Sequence, residues 1–245
     1  MQPDNPIKRK QRLQWIESLC ETALGLASKK DGQPLLLQIG ANDGKQDDLV
    51  SSFIKRSKIR AVLLEPVPSI YEELVENYEG YDNVKCYNCG IADHTGKKNI
   101  ITVDYEGFCK SWESKWKTSP PVWAKGLSTY DETKNCLGES FGIEATNEEI
   151  RAFKTEVETD VFTLPDFLNA HGVDGIDIYV SDAEGYDYLI FNQLDLNQYA
   201  PFLIIAETHT CGPEKVHEIH LKLEKHGYTS HTNVYAWDTV ATKIL

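Results

Sequence analysis

The chain has 245 residues, of which 41% are hydrophobic and 26% charged, the balance of a soluble globular protein large enough for one sizeable core. With 38 acidic and 25 basic residues its net charge is −13, which excludes nonspecific attraction to nucleic acid or to an anionic membrane surface as its working mode. No run approaches the roughly 18 apolar residues of a membrane span.

In chain order, Leu13, Ile16, Cys20, Ala23, Leu24 and Ala27 recur at helical spacing and predict an amphipathic lead-in helix within residues 1–30, ended by Asp31-Gly32. The basic residues before it have no apolar stretch behind them, so no signal peptide is read. Leu35, Leu36, Leu37 and Ile39 then form a short apolar run, as a buried parallel strand does. It meets a small-residue turn, Gly40-Ala-Asn-Asp-Gly44. Leu49, Val50, Phe53 and Ile54 predict a helix over 46–56, and Ala61 to Leu64 a second strand ending at Glu65. Ser69 with Glu72 reads as a capping box. The helix behind it places Ile70, Leu74, Val75 and Tyr78 on one face. Val84 to Cys89 is a third strand, followed by Asp93 and a turn at His94-Thr-Gly96. Asn99 to Val103 is a further short strand. The order so far is β-α-β-α-β, half of a doubly wound sheet.

Residues 104–145 break this rhythm. They hold Trp112, Trp116, Trp123 and Pro120-Pro121 without a clear period, and read as an inserted lid or acceptor-binding segment. Thr146 with Glu149 suggests a capping box for a short helix. Thr163 to Leu168 is a short helix, and Ile176 to Val180 a strand that runs into Asp182-Ala-Glu-Gly-Tyr-Asp187. Pro201 to Ala206 is a strand ending at Glu207. Val216, Ile219 and Leu223 mark a last helix, and one or two closing strands follow Tyr228. With no repeat or linker, residues 1–245 read as a single domain.

The six cysteines are scattered, which suits reduced thiols in a cytoplasmic protein. Cys86 and Cys89 form a CxxC, but no second pair lies at zinc spacing, and residues three apart on a strand face opposite ways.

Glu65, Asp182, Glu184 and Glu207 all fall at or just past predicted strand ends, and Asp93 is a candidate fifth. In an open parallel sheet these ends share one rim, where ligands bind. An acidic rim favours a cationic or polyhydroxylated ligand over a polyphosphate. A carboxylate at the end of the second strand, 25 positions after Gly40, suits the ribose hydroxyls of an adenosine. GxGxxG and the P-loop are both absent.

Three segments in order, Gln38-Ile-Gly-Ala-Asn-Asp-Gly44, Leu64-Glu-Pro-Val-Pro-Ser69 and Asp182-Ala-Glu-Gly-Tyr-Asp187, resemble the FkbM-type methyltransferases from about residue 33 to 236. Trp123-Ala-Lys-Gly-Leu-Ser128 resembles a recurring segment of one branch. The resemblance implies a Rossmann-like, doubly wound, mostly parallel sheet with an antiparallel edge, and S-adenosylmethionine as cofactor. It implies that Gly40, Ala41 and Asn42 meet the methionine part, Glu65 the ribose and Asp93 the adenine, with Asp182 near methyl transfer. Gln38 departs from the acid that many methyltransferases carry there. It can still accept one hydrogen bond from the cofactor's amino group, with less electrostatic help.

The implied function is O-methylation of a hydroxyl on a sugar, glycan or secondary metabolite. Such a hydroxyl needs a general base or a metal. The base candidates are Asp182, Glu184 and His209. Asp182, Glu184 and Glu207 together suit a magnesium ion, although Glu184 serves equally well as an acid at the positive end of the following helix. Trp123, Ser128 and Tyr130 are the candidate acceptor contacts, and each aromatic serves equally well as lid core. Two alternatives stand beside this reading: an NAD-dependent oxidoreductase using Glu65, and a noncatalytic adenosine-binding module.

Overall fold

Five consecutive buried residues, Leu35–Ile39, form β1, and the sheet is built outward from them. The computed structural model describes residues 6–29, 32–46, 48–131, 144–232 and 238–243, with the side chains of 6–9 and 144–147 excepted. Before β1 runs α1 (Pro6–Ala27), and after it come α2 (Ser51–Ser57), β2 (Arg60–Leu64), α3 (Pro68–Asn77) and β3 (Val84–Tyr87). The second half supplies α6 (Leu164–Ala170), β7 (Ile178–Ser181), α7 (Asp187–Gln193), β8 (Leu203–Glu207), α8 (Pro213–Lys225), β9 (Thr229–Thr232) and β10 (Asp238–Thr242).

The seven strands lie in the order β3-β2-β1-β7-β8-β10-β9. The first five are parallel, and β10 joins β8 and β9 antiparallel. This is the expected α/β architecture with its antiparallel edge. Chain order reverses between β1 and β7, which makes their carboxyl ends the topological switch point where such sheets bind ligands.

Alternation of side chains across each strand divides the core in two. Leu35, Leu37, Ile39, Leu64 and Tyr179 face α6, α7 and α8 through Phe167, Phe191 and Leu223. Leu36, Leu63, Ile178 and Val180 face α1, α2 and α3 through Ile16, Cys20, Phe53 and Leu74. Cys89 lies in the first core and Cys86 borders the second, so the CxxC straddles the sheet, as its spacing requires. Burial raises both thiols above their ordinary range.

A smaller sheet in the order β4-β6-β5 joins β4 (Gly90–Ile91), β5 (Gly96–Val103) and β6 (Lys154–Phe162). The long β6 is absent from the sequence reading. It pairs antiparallel with β5 from Gly96 opposite Val161 to Val103 opposite Lys154. The described residues between β5 and β6 are therefore carried at the far end of a two-stranded ribbon. They include α4 (Tyr105–Trp116), a 3-10 turn at Val122–Gly126 and α5 (Glu144–Arg151). Trp112 and Trp123 border a small core of Ile101, Val103, Phe108, Ala124, Leu127 and Ile150. Cys136 lies outside the described residues.

Neither expected capping box forms as read. Pro68 occupies the first turn of α3 and Val67 is its N-cap, because proline suits a position whose N–H has no helical partner. Thr146 lies inside α5 rather than before it.

Candidate active site

The turn after β1 is shaped by two backbone constraints. Gly40 has φ +76°, and a Cβ there would lie 1.8 Å from the Asp182 carbonyl oxygen. The glycine thus lets the ends of β1 and β7 close on each other, and both Gly40 and Ala41 donate their N–H groups to the Leu64 carbonyl. Gly40→Ala is expected to cost more than the roughly 1–3 kcal/mol of left-handed backbone strain alone, because the displaced neighbour is backbone. Denaturant unfolding checks this, and a loss under about 1 kcal/mol contradicts it.

Asn42, also left-handed at φ +49°, directs its backbone N–H to Glu65 Oε2 at 3.0 Å. The Val67 N–H donates to Glu65 Oε1 at 2.9 Å. Glu65 is buried, and burial, outweighing these two bonds, pushes its carboxyl up to about 7. Each of its oxygens keeps one lone pair, so two hydroxyl donors can still be accepted.

Gln38, buried in the middle of the sheet, donates through Nε2 to Asp48 Oδ2 at 3.2 Å. Its Oε1 is buried without a hydrogen-bond partner. Asp48 also accepts from the Val50 and Ser51 N–H groups. The charge that Gln38 lacks is therefore present ten residues later, held beside it.

Asp182, Glu184 and Glu207 converge. One carboxylate oxygen from each lies within 4.8 Å of the others. Glu184 reaches inward from a left-handed backbone, φ +48°. Asp187, at the start of α7, accepts from the Ala183 N–H at 3.0 Å and is fully buried. Asp238 sits on β10 directly opposite Glu207. Burial first, and mutual repulsion after it, raises the carboxyl groups of Glu184 and Glu207 well above their ordinary range. Asp182, the exposed member of the three, shifts the same way. The Asp187 and Asp238 carboxyls reach about 7, burial leading in both. Arg12 of α1 bonds Asp238 at 2.8 Å, and its charge opposes the upward shift of Asp182. His209 Nδ1 lies 3.1 Å from Glu207 Oε1.

The other expected site residues are placed differently. Asp93 is exposed and faces His94 at 3.0 Å and Lys98 at 3.8 Å; it is not part of the cluster of Asp182, Glu184 and Glu207. Tyr130 is buried under Val67, Ile70 and Ala92, and its hydroxyl pairs with Thr159 Oγ1 at 2.7 Å. It is a core residue at the base of the inserted segment rather than an open stacking platform. Trp123 and Ser128 are half-buried. Between them, Gly126 packs on the turn: a Cβ on it would lie 2.5 Å from Asn42 Nδ2. Lys125 pairs with Glu73 and lies 3.8 Å from Asp43. The inserted segment is thus fastened across the Gly40–Gly44 turn.

Four contributors escape the sequence reading: Arg12, Asp48, Asp187 and Asp238. Arg12 carried a legible signal, since it lies four residues before Ile16 and eight before Cys20, on the buried face of α1. Asp187 stands inside the quoted acidic motif. Asp238 has no local signal, because only the antiparallel return of β10 brings it to Glu207.

The profile of the methyltransferase FkbM domain matches residues 38–230. No curated protein matches the chain. Among solved structures, a fibrillarin pre-rRNA processing protein of Methanococcus jannaschii aligns with a TM-score of 0.40 and 12% identity, over 86% of this chain and 65% of that one. The FkbM span begins at Gln38 and takes in the glycine turn, Glu65, the acid group up to Glu207 and His209, while Arg12 and Asp238 fall outside it. By that match over most of its length, the chain belongs to the FkbM methyltransferase family.

Proposed function

We propose that the chain is an S-adenosylmethionine-dependent O-methyltransferase acting on a hydroxyl of a saccharide or small metabolite. The observation that carries this reading is the convergence of carboxylates at the carboxyl ends of β7 and β8, next to the β1/β7 switch point, beside a buried acceptor, Gln38 Oε1, that has no donor. Such a site asks for a cationic, donor-rich ligand. Adenosylmethionine supplies an ammonium, two ribose hydroxyls and a methyl group on a positively charged sulfur. Gln38, backed by Asp48, would take the ammonium, and Glu65 the ribose. A nicotinamide dinucleotide would instead bring a pyrophosphate among these acids, where Arg12 is already paired with Asp238. That disfavours the oxidoreductase alternative.

The rest is what the chain's own residues do. Glu207 Oε1 lies 3.1 Å from His209 Nδ1 and would pair with the imidazole once it is protonated. His209 receives the acceptor's hydroxyl proton as its oxygen becomes an ether. The lid segment, pinned by Lys125, shields the turn from water. Positioning of the acceptor oxygen supplies the remainder of the rate.

Glu65→Ala is expected to weaken S-adenosylhomocysteine binding by about 1.5–3 kcal/mol, roughly ten- to hundredfold in Kd. Equal affinity by calorimetry would remove Glu65 from the site. The reaction itself is tested by incubating the protein with methyl-labelled adenosylmethionine and a panel of mono- and oligosaccharides and hydroxylated metabolites. Label that survives mild alkali marks an ether and supports the reading. Label lost as methanol marks a carboxyl ester and refutes O-methylation of a hydroxyl.

A further inference from the structure

We propose that Asp182, Glu184 and Glu207 bind one hard divalent cation, of the Mg2+ or Mn2+ kind, which holds and acidifies the acceptor hydroxyl. The inference deepens the methyltransferase reading and, for the role of the cation, rests on it.

Three observations lead there. First, the three carboxylate oxygens lie within 4.8 Å of one another. Oxygens around a hexacoordinate Mg2+ at about 2.1 Å stand roughly 3–4 Å apart. The side chains therefore need to close by only about an ångström to share an ion. Second, Glu207 is only 8% exposed, and its Oε2 has no hydrogen-bond partner. Its other oxygen lies beside His209. A buried carboxylate oxygen without a donor is costly unless a cation or a proton completes it, and an ion shared with Asp182 and Glu184 removes the repulsion among all three. Third, the ligands come from both sides of the β7/β8 boundary. Asp182 and Glu184 follow β7, and Glu207 ends β8, so the parallel pairing of Ser181 with Ala206 fixes their spacing before any ion arrives.

The arrangement divides the labour of Glu207 between its two oxygens. Oε2 would face the cation and Oε1 the imidazole. The cation would draw electron density from the acceptor oxygen, and the proton so loosened would pass to His209. Oxygen ligands alone, with neither thiol nor imidazole in the trio, select magnesium, manganese or calcium over zinc or copper.

The test is a titration of the purified chain with Mn2+, followed by the paramagnetic resonance of the free ion, beside a titration with S-adenosylhomocysteine. The expected result is one Mn2+ per chain, displaced by excess Mg2+. Binding should weaken at least tenfold in both Asp182→Asn and Glu207→Gln, and be unchanged in Glu113→Gln, on the exposed face of α4. Circular dichroism identifies a variant that misfolds, and in that case the wild type decides: Mg2+ must raise its melting temperature, and no rise overturns the proposal. Stoichiometric homocysteine-ligand binding without Mn2+ binding overturns the cation site and leaves the methyltransferase reading intact. Mn2+ binding retained by both folded variants overturns the assignment to these residues. Failure of both ligands overturns the site and the cofactor reading together.

Discussion

Asp182→Asn is expected to lower the rate of methyl transfer by about 10²–10⁴-fold, the range for a positioned acid–base or charge-bearing group, and to raise the melting temperature at the same time. The two effects share one cause. Asp182 stands among Glu65, Glu184, Asp187, Glu207 and Asp238, whose charges repel it or are repelled by it. Asp182 stands exposed at the rim, so what the amide relieves is this repulsion, which Arg12 only partly offsets. The amide keeps the shape and removes the charge, so the folded state loses a repulsion. In a chain of this size each 1 kcal/mol so relieved raises the midpoint by roughly 2–4 °C. Sites of this kind trade stability for function. A variant working at full rate, or one melting several degrees below the wild type, would contradict the role given to Asp182.

Ligand-free protein is expected to lose stability steadily as the pH rises from about 4 to about 7. Glu65, Asp187 and Asp238 each have folded-state values near 7, all raised first by burial. Unfolded, they titrate near 4. Between those values the folded chain holds protons that the unfolded chain has released. Folding therefore takes up protons in that window, and its free energy weakens as the pH climbs. Each pH unit by which the folded value exceeds the unfolded one accounts for about 1.4 kcal/mol per carboxyl at most, so a rise from near 4 to about 7 in three groups makes a drop of at least several kcal/mol. The pattern opposes that of an ordinary protein held by paired carboxylates, which weakens on acidification. Melting curves between pH 5 and 8 check it. The midpoint should be highest at the acid end of that range, and adding a cationic ligand at pH 8 should restore part of the difference. A midpoint that rises from pH 5 to pH 8 would contradict the account.

The parts of this fold legible in the sequence are those governed by local chemistry. The apolar runs at Leu35, Ala61, Ile178 and Leu203 are continuous because parallel strands are buried on both faces, and all four are central strands. The acids at their ends were legible as one rim for the same reason, since parallel strands end together. The long β6 was not. Its sequence, Lys-Thr-Glu-Val-Glu-Thr-Asp-Val-Phe, does alternate charged residues with Thr and Val as a half-buried strand does, but the apolar content is low and its partner β5 lies beyond an insertion of some fifty residues. Tyr130 was read as a platform because its type suits one; only the ribbon shows that Thr159 receives its hydroxyl. Asp93 was placed on the rim by its nearness to a strand end, but that strand, β4, leaves the main sheet for the small one. Gln38 was read as a weakness in the cofactor site. The structure adds Asp48 beside it, by a contact ten residues along the chain that no strand or helix period foretells.

On the proposed function, this acid-lined switch point takes an adenosyl cofactor bearing a positive charge. Calorimetric titration of the purified chain with S-adenosylhomocysteine, beside NAD under the same conditions, tests it most directly. The account predicts saturable binding of the first at one per chain and no heat from the second. Binding of NAD in place of S-adenosylhomocysteine would contradict it.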